Sequence, residues 1–178
     1  MKRWAGLLKG VNVGGRKLPM AELKALAEGL GFEDVRTLLA SGNVVFSAKG
    51  DAAAIEQALE AALETHGLKT DVVVRDLAEL SAILAANPFP DAAQGHPNHL
   101  LVHFHRDPVP GEPIARLPEL HDGPERLHAI GRELYVDYPD DVGHSKLPQS
   151  MAKAKFPRLA TARNWNTVNK LVAMLAGE

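Results

Sequence analysis

The sequence contains no cysteine, which excludes disulfides, thiolate zinc sites and cysteine nucleophiles. Aromatic residues make up only 5% of it, and no strand-like segment interleaves them with basic residues as RNA-binding sheets do. The 20 basic and 22 acidic residues nearly cancel, so no overall field draws the chain to nucleic acid or to an anionic membrane. Binding to either would need a local patch of charge.

Long apolar runs are also missing. The first run, residues 4–8, stops at Lys9 and is too short for the apolar segment of a signal peptide. No other segment approaches the roughly 20 apolar residues that span a membrane. With 46% hydrophobic and 24% charged residues, the composition is that of an ordinary globular protein. We therefore predict a cytoplasmic protein with no membrane partner.

The first half of the chain alternates strand-like and helix-like patterns. Apolar residues at helical spacing predict two helices, one starting near Pro19 and the other capped by Asp51. Asp76 and Glu79 have the spacing of a capping box and predict a third helix. The predicted strands cover residues 4–8, 34–39, 44–47 and 71–75. The order βαββαβ is that of a ferredoxin-like fold, which we assign to a domain of residues 1–88.

The second half of the chain repeats this pattern less clearly. Three prolines and a glycine between residues 87 and 98 predict a linker, which we place at 89–96. A strand at 100–104, a hairpin around Gly131, a helix near Pro148 and a terminal helix follow. The proline-rich segment 106–124 gives no readable pattern. We predict an α+β fold class, with residues 97–178 forming a second, irregular ferredoxin-like unit that ends in a C-terminal helix.

The turn after the first strand, KGVNVGGRK, combines glycines with three basic residues. It is not a P-loop, because Arg16 stands where that motif needs lysine and Lys17 where it needs a hydroxyl. Glycines nevertheless expose backbone N–H groups, which together with Lys9, Arg16 and Lys17 can hold an anion. The alternative is a strand-to-helix turn that needs positive φ and leaves its basic residues in solvent.

Near the C-terminus, TARNWNTVNKL gathers polar residues at the start of the terminal helix. Trp165 shares a face with later apolar residues and is predicted to anchor the core, and Asn164 is predicted to cap the helix. Arg163 and Thr167 lie on a separate stripe at helical spacing. Arg163, Asn166 and Thr167 therefore either bind neighbouring groups of the fold or face a cleft. In that cleft the helix N-terminus would add positive charge for an anion.

Histidines and one serine–lysine pair are the remaining candidates for chemistry. His99, His103 and His105 share one face of a predicted strand, and a His-x-His pair can bind a metal. No third ligand has the spacing of a metal site, so we favour a polar strand face. Ser145 and Lys146 are adjacent, and neighbouring residues on a helix do not face each other, which disfavours catalysis by the pair. We predict neither a metal nor a cofactor.

Four blocks of sequence, LLKGVNVGG, MAELKALAEGLGFEDVRTLLASGNVVF, HSKLP and TARNWNTVNKL, occur in this order. Together they resemble the bacterial family of unknown function DUF1697, essentially from end to end. The resemblance implies a ferredoxin-like α+β architecture and brings no established activity, substrate or cofactor. Ala162 stands where relatives often carry threonine, and the histidine strand and segment 106–124 lie outside the family pattern. The matching polar motif positions are Lys9, Asn12, Gly14, Gly15, Ser41, Gly42, Asn43, Ser145, Lys146, Arg163, Asn164, Trp165, Asn166 and Thr167.

These residues lead to three hypotheses of function. The first is a binding module for an anionic ligand, namely a nucleotide, a phosphorylated metabolite or a nucleic-acid backbone. Its site would join the 9–17 turn, the 41–43 turn and residues 163–167. The alternatives are a metal-independent hydrolase or transferase that uses the same cleft, with catalytic residues unknown, and a structural or interaction protein. The sequence supports a small anion better than nucleic acid and does not indicate the oligomeric state. The predicted ligand-binding residues are Lys9, Asn12, Gly14, Gly15, Arg16, Ser41, Asn43, Lys146, Arg163, Asn166 and Thr167.

Overall fold

A computed structural model describes residues 1–12, 15, 17–38 and 41–177 of the 178-residue chain. The chain divides into two compact units. Unit 1 is Met1–Ala85 with Val168–Glu178, and unit 2 is Ala86–Thr167.

Unit 1 contains β1 (Lys2–Leu8), α1 (Met20–Gly29), β2 (Glu33–Leu38), β3 (Asn43–Ala48), α2 (Ala52–Thr65), β4 (Val72–Asp76) and α3 (Leu77–Ala85). Unit 2 contains α4 (Pro90–Gly95), a 3₁₀ turn (Pro97–His99), β5 (Leu100–His105), α5 (Gly111–Leu120), β6 (Arg126–Ile130), β7 (Glu133–Asp137), α6 (Leu147–Lys153) and β8 (Ala160–Asn164). The last helix, α7 (Trp165–Leu175), begins in unit 2 and belongs to unit 1 from Val168 onward.

The sheet of unit 1 is antiparallel with strand order β2-β3-β1-β4. This is the ferredoxin-like order, so the predicted fold of the first domain is confirmed. Apolar residues of β1, β3 and β4 form the core together with the inward faces of α1 and α2. On the opposite sheet face Arg3 and Arg36 donate hydrogen bonds to the carbonyl oxygen of Met174, at 2.9 and 3.2 Å. Cations are favourable at a helix C-terminus, so the two arginines hold the end of α7 on this unit.

Local signals in the sequence fix the helix starts of unit 1. Asp51 accepts a hydrogen bond from the backbone N–H of Ala54 at 2.9 Å and caps α2 as predicted. Asp76 and Glu79 form the predicted capping box, since each side chain accepts a hydrogen bond from the other residue's backbone N–H, at 2.8 and 3.1 Å.

The sheet of unit 2 has the order β6-β7-β5-β8, which corresponds strand by strand to that of unit 1. Helices α5 and α6 pack on one face of this sheet around the buried Leu117, Leu134 and Met151. The second unit is therefore a complete βαββαβ arrangement. Its α+β class and ferredoxin-like character agree with the prediction.

Three local features of the second half differ from the sequence-based expectations. The predicted linker 89–96 contains the six-residue helix α4, and the unreadable segment 106–124 contains α5. Residues 160–164 form strand β8 instead of leading into the terminal helix, which begins at Trp165. Among the described residues, no helix combines the length and apolarity needed to span a membrane.

Candidate functional site

Two of the predicted ligand-binding segments meet at one end of the sheet of unit 1. The backbone N–H of Leu8 donates to the carbonyl of Gly42 at 2.9 Å, which ties the end of β1 to the hairpin turn before β3. A Cβ placed on Gly42 would lie 2.5 Å from Cγ2 of Val11, so the two segments are in close contact. The backbone N–H of Lys9 donates to the carbonyl of Asp71 at 3.0 Å, which brings the start of β4 to the same end.

Hydrogen bonds of two predicted ligand-binding residues, Asn12 and Asn43, shape these turns. The Asn12 side chain accepts from the backbone N–H of Leu18 at 2.8 Å and donates to its carbonyl at 3.1 Å. Asn43 has no exposed surface, and its Nδ2 donates to the carbonyl of Leu38 at 2.8 Å and to Oγ of Ser41 at 3.0 Å. Both amides therefore position the backbone at this end of the sheet.

The side chains at this end of unit 1 are mainly basic. Lys17 and Lys69 are exposed and Lys9 is half-buried, while the acidic residue beside them is Asp71, also half-buried. Ser41 adds an exposed hydroxyl group at the hairpin turn. Among these described side chains the three lysines outnumber the one aspartate, a balance that favours an anion.

The backbone of the loop after β1 contributes further polar groups. Gly10, Asn12 and Gly15 have φ angles of 66°, 57° and 85°, the left-handed conformation that alternates in anion-binding nests of backbone N–H groups. The predicted residues Gly14 and Arg16 lie outside the described residues.

The remaining predicted residues, Lys146, Arg163, Asn166 and Thr167, belong to unit 2. Arg163 lies on β8 and is buried, with its Nη1 donating to Oγ1 of Thr161 at 2.7 Å and to the carbonyl of Ala162 at 2.8 Å. Burial lowers the pKa of the Arg163 guanidinium to about 10.

The stripe predicted for Arg163 and Thr167 on one helix does not form. Arg163 is on a strand whereas Thr167 is in the first turn of α7, because the chain becomes helical only at Trp165. Asn164 accepts a hydrogen bond from the backbone N–H of Thr167 at 2.9 Å and acts as the predicted cap. Trp165 is buried as expected of a core anchor, and Asn166 is exposed.

A polar cluster that sequence reasoning missed lies between the α5–β6 loop and the start of α6. His121 Nε2 and Glu125 Oε2 are 2.8 Å apart, and Ser145 Oγ donates to Glu125 Oε1 at 2.6 Å. His121 Nδ1 lies 3.0 Å from Oγ of Ser150. Burial acts to raise the pKa of Glu125, but the hydrogen bonds from Ser145 and His121 outweigh it and lower that pKa below its ordinary value. Glu125 is therefore an ionised carboxylate.

The histidine strand contains no metal site within the described residues, where no group of three or more histidine or acidic side chains is arranged to hold an ion. His103 Nε2 is buried and has no hydrogen-bond partner. Burial, together with the nearby His105, lowers the pKa of His103 to about 4, so its imidazole is neutral at pH 7.

A family model described as "Protein of unknown function (DUF1697)" matches residues 1–135. The chain belongs to the DUF1697 family. The match covers all of the loop end of unit 1 described above, whereas Ser145, Lys146 and residues 161–171 lie beyond it. No curated protein matches this DUF1697 chain.

Among solved structures, the conserved bacterial protein SP0830 from Streptococcus pneumoniae is similar to this chain with a TM-score of 0.78 and 26% identity. The similarity covers 99% of each chain, so SP0830 shares the fold of both units. A second protein, TA0507, described as a candidate chlorite dismutase, has 11% identity over 98% of this chain and 100% of its own. Its TM-score of 0.28 is too low to support an argument about fold or function.

Proposed function

We propose that this DUF1697 protein is a binding module for a phosphate-bearing anion at the loop end of unit 1. The site consists of the loop after β1, the 41–43 turn and residues 69–71. The observation that supports the proposal is the direct contact between the first two segments, through the 2.9 Å hydrogen bond from Leu8 to Gly42. Two of the turns that the sequence-based hypothesis joins in one anion site are therefore neighbours.

The charges at this surface favour a compact anion. Lys9, Lys17 and Lys69 supply three ammonium groups, and Asp71 supplies one carboxylate. Lysine binds phosphate as a point charge, and a charge-assisted hydrogen bond is about twice as strong as a neutral one. The hydroxyl of Ser41 can donate to a further phosphate oxygen.

The backbone suits the same ligand. Positions 10, 12 and 15 are left-handed. Nests built from such residues direct backbone N–H groups at an anion, and phosphate oxygens accept these bonds without a matching side chain. In this proposal Asn12 and Asn43 hold the loops in shape, and the lysines and N–H groups contact the anion. Loss of either asparagine would then weaken binding only through the loop conformation.

Isothermal titration calorimetry with inorganic phosphate, pyrophosphate and ATP tests the proposal. A Lys9→Ala/Lys17→Ala double variant should bind the tightest of these at least about tenfold more weakly, since two charge-assisted contacts are lost. Lys49→Ala is the matched control, because Lys49 is exposed at the opposite end of the sheet, after β3. Binding should also weaken as salt rises, since exposed charges are screened.

The outcomes separate the hypotheses. No heat of binding with any of the three anions, or equal losses in the double variant and in Lys49→Ala, would contradict an anion site here. A short single-stranded oligonucleotide that binds more tightly than ATP, with the same dependence on Lys9 and Lys17, would identify the nucleic-acid backbone as the ligand.

A further inference from the structure

Unit 2 contains a cavity of about 330 Å³ with an apolar floor and one polar wall. The floor is formed by Ile114, Leu117 and Pro118 of α5 and Leu127 of β6. The wall is formed by His121, Gly123 and Glu125. A mainly apolar concavity with a few convergent polar groups is the usual form of a small-molecule site.

The charge on the polar wall is negative. The Glu125 side chain is only 8% exposed, yet it is ionised because Ser145 and His121 donate hydrogen bonds to its two oxygens. Among the described residues its ion-pair partner is His121, and no lysine or arginine forms an ion pair with it. A buried carboxylate is most stable beside a fixed positive charge, and histidine, unlike lysine or arginine, is not a permanent cation.

A second cavity, of about 200 Å³, adjoins the same three residues and extends the negative potential. It adds three carboxylates, those of Asp122, Asp140 and Asp141, against the ammonium of Lys146 and the imidazole of His144. The pair of His121 and Glu125 thus has a cavity on each side. Because the carboxylates of this lining outnumber its single lysine, the local potential favours a cation.

Gly123 packs directly against the pair of His121 and Glu125. A Cβ at this position would lie 2.4 Å from Oε2 of Glu125 and 2.7 Å from Nε2 of His121. Any other residue would therefore push a side chain into the pair. Only glycine fits beside the pair, so the close packing of Gly123 fixes the position of the carboxylate in the lining of the cavity.

We propose that this cavity binds a small amphipathic amine, an alkyl- or arylammonium ion. Its ammonium group hydrogen-bonds to Glu125, and its apolar part covers Ile114, Leu117 and Leu127. At about 30 Å³ for each water-sized group, the volume accommodates roughly ten non-hydrogen atoms. This site lies wholly within unit 2, and the proposal is independent of the anion site in unit 1.

The geometry favours binding over catalysis by the same cluster. The Ser145 hydroxyl accepts a hydrogen bond from the backbone N–H of Leu147 at 3.1 Å while it donates to Glu125. A carboxylate with a lowered pKa is also a weak base toward a serine hydroxyl. Glu125 is suited to attract a cation, and Ser145 and His121 hold the Glu125 side chain in place.

Nuclear magnetic resonance of the ¹⁵N-labelled full chain tests the proposal with three probes of nearly equal shape. These are 2-phenylethylammonium, neutral 2-phenylethanol and the anion 3-phenylpropanoate. The ammonium ion should shift the backbone amide signals of Gly123, Glu125 and Leu127, and bind at least about tenfold more tightly than the alcohol. The carboxylate probe should not shift these signals, because Glu125 repels it.

Two variants and one control test whether the Glu125 carboxylate binds the ammonium group. Glu125→Gln keeps the shape of the side chain and should reduce the ammonium affinity about tenfold, to that of the alcohol. Gly123→Ala should reduce the affinities for the ammonium ion and for the alcohol by similar factors, since its methyl group displaces the polar wall. Glu119→Gln on the exposed face of α5 should change neither affinity.

Each outcome decides the proposal. No signal shift with up to about 20 mM ammonium probe, or equal affinities for the ammonium ion and the alcohol, overturns it. Signal shifts confined to residues outside 114–127 also overturn it. So does an equal change of ammonium affinity in Glu119→Gln and Glu125→Gln. If Glu125→Gln does not fold, the three-probe comparison on the unmodified protein still decides between a cation site and an unselective apolar cavity.

Discussion

Helices α1 and α2, which cover the sheet of unit 1, have 10 and 14 residues, whereas their counterparts α5 and α6 in unit 2 have 10 and 7. The short helix α6 is held by polar contacts at both ends, through Ser145 at its start and through the bond from Arg116 to the carbonyl of Ala154 at its end. Unit 1 relies mainly on apolar periodicity, and unit 2 supplements a smaller core with hydrogen bonds. The same strand order is thus stabilised mainly by apolar packing in unit 1 and by apolar packing together with side-chain hydrogen bonds in unit 2.

The two hairpin turns make this contrast testable. Gly42 precedes β3 and Gly131 precedes β7, and their φ angles are 87° and 59°, both in the left-handed region. A Cβ on Gly42 would collide with Val11 and touch Leu8, whereas nothing lies within 4 Å of a Cβ on Gly131. The turn in unit 1 is packed against its neighbours, and the turn in unit 2 is open.

The largest expected effect is that of Gly42→Ala. We expect it to lower the free energy of unfolding by about 4 kcal/mol, of which about 1–2 comes from the left-handed conformation and about 1–3 from overpacking. Gly131→Ala bears only the first cost and should lose about 1 kcal/mol. Urea denaturation of both variants measures the difference. Equal losses would show that the contact between the 41–43 turn and the loop after β1 is not close, which would also weaken the proposed anion site.

Histidine content provides a second contrast. Unit 1 has one histidine, the exposed His66, and the other seven of the chain lie in unit 2. Burial holds the pKa of His103 at about 4, below the roughly 6.5 of an unfolded chain. Below pH 6.5 the unfolded state therefore binds a proton that the folded state does not, so stability falls as pH falls.

As the pH falls from 6.5 to 4, we expect the unprotonated His103 to lower the free energy of unfolding by about 3 kcal/mol. His103→Leu should remove this part of the acid sensitivity, and His128→Gln, which changes an exposed histidine on β6, should leave it intact. Urea denaturation at half-unit pH steps measures the slope. Hydrogen exchange at pH 5 should show the loss first in unit 2. An unchanged pH slope in His103→Leu would mean that the imidazole is protonated in the folded state.

The fold of unit 1 could be predicted because its signals are local. Apolar spacing, the Asp51 cap and the capping box at Asp76 each act within a few residues. In unit 2 the buried side chains of β8 are Thr161 and Arg163, both polar, so a search for apolar alternation does not recognise a strand. Pro113 in α5 gives an apparent break, yet it falls in the first helical turn, where the missing N–H has no partner within the helix.

The two candidate sites also differ in how far the sequence predicts them. The meeting of residues 9–12 with 41–43 follows from the ferredoxin-like order, because β1 is antiparallel to β3 and its end lies beside the start of β3. The cluster of His121, Glu125 and Ser145 depends on how a loop packs against the start of α6, and Glu125 and Ser145 are 20 positions apart in the chain. No spacing rule relates such residues. The local sign in the sequence is the turn Asp122-Gly123-Pro124 directly before Glu125.

The smallest expected effects concern side-chain hydrogen bonds at helix starts, one in each unit. Asp51→Ala removes an exposed cap from α2 and should lower the free energy of unfolding by about 1 kcal/mol. Ser145→Ala removes the hydrogen bond to the backbone N–H of Leu147 and also the bond to the ionised Glu125, so we expect about 2 kcal/mol. Urea denaturation measures both, and Ser145→Thr should recover most of the loss by restoring the hydroxyl.

The Ser145 variant also has a readout that a simple cap does not. Hydrogen bonding from Ser145 helps to lower the pKa of Glu125, so this pKa should rise in Ser145→Ala and remain low in Ser145→Thr. The carboxyl ¹³C resonance of Glu125 followed against pH measures it. Because stability from a lowered carboxyl pKa is present at neutral pH and lost on acidification through that pKa, Ser145→Ala should cost less at pH 3 than at pH 7. A loss that is independent of pH would show that Ser145 acts on α6 alone and that the charge of Glu125 is maintained by other groups.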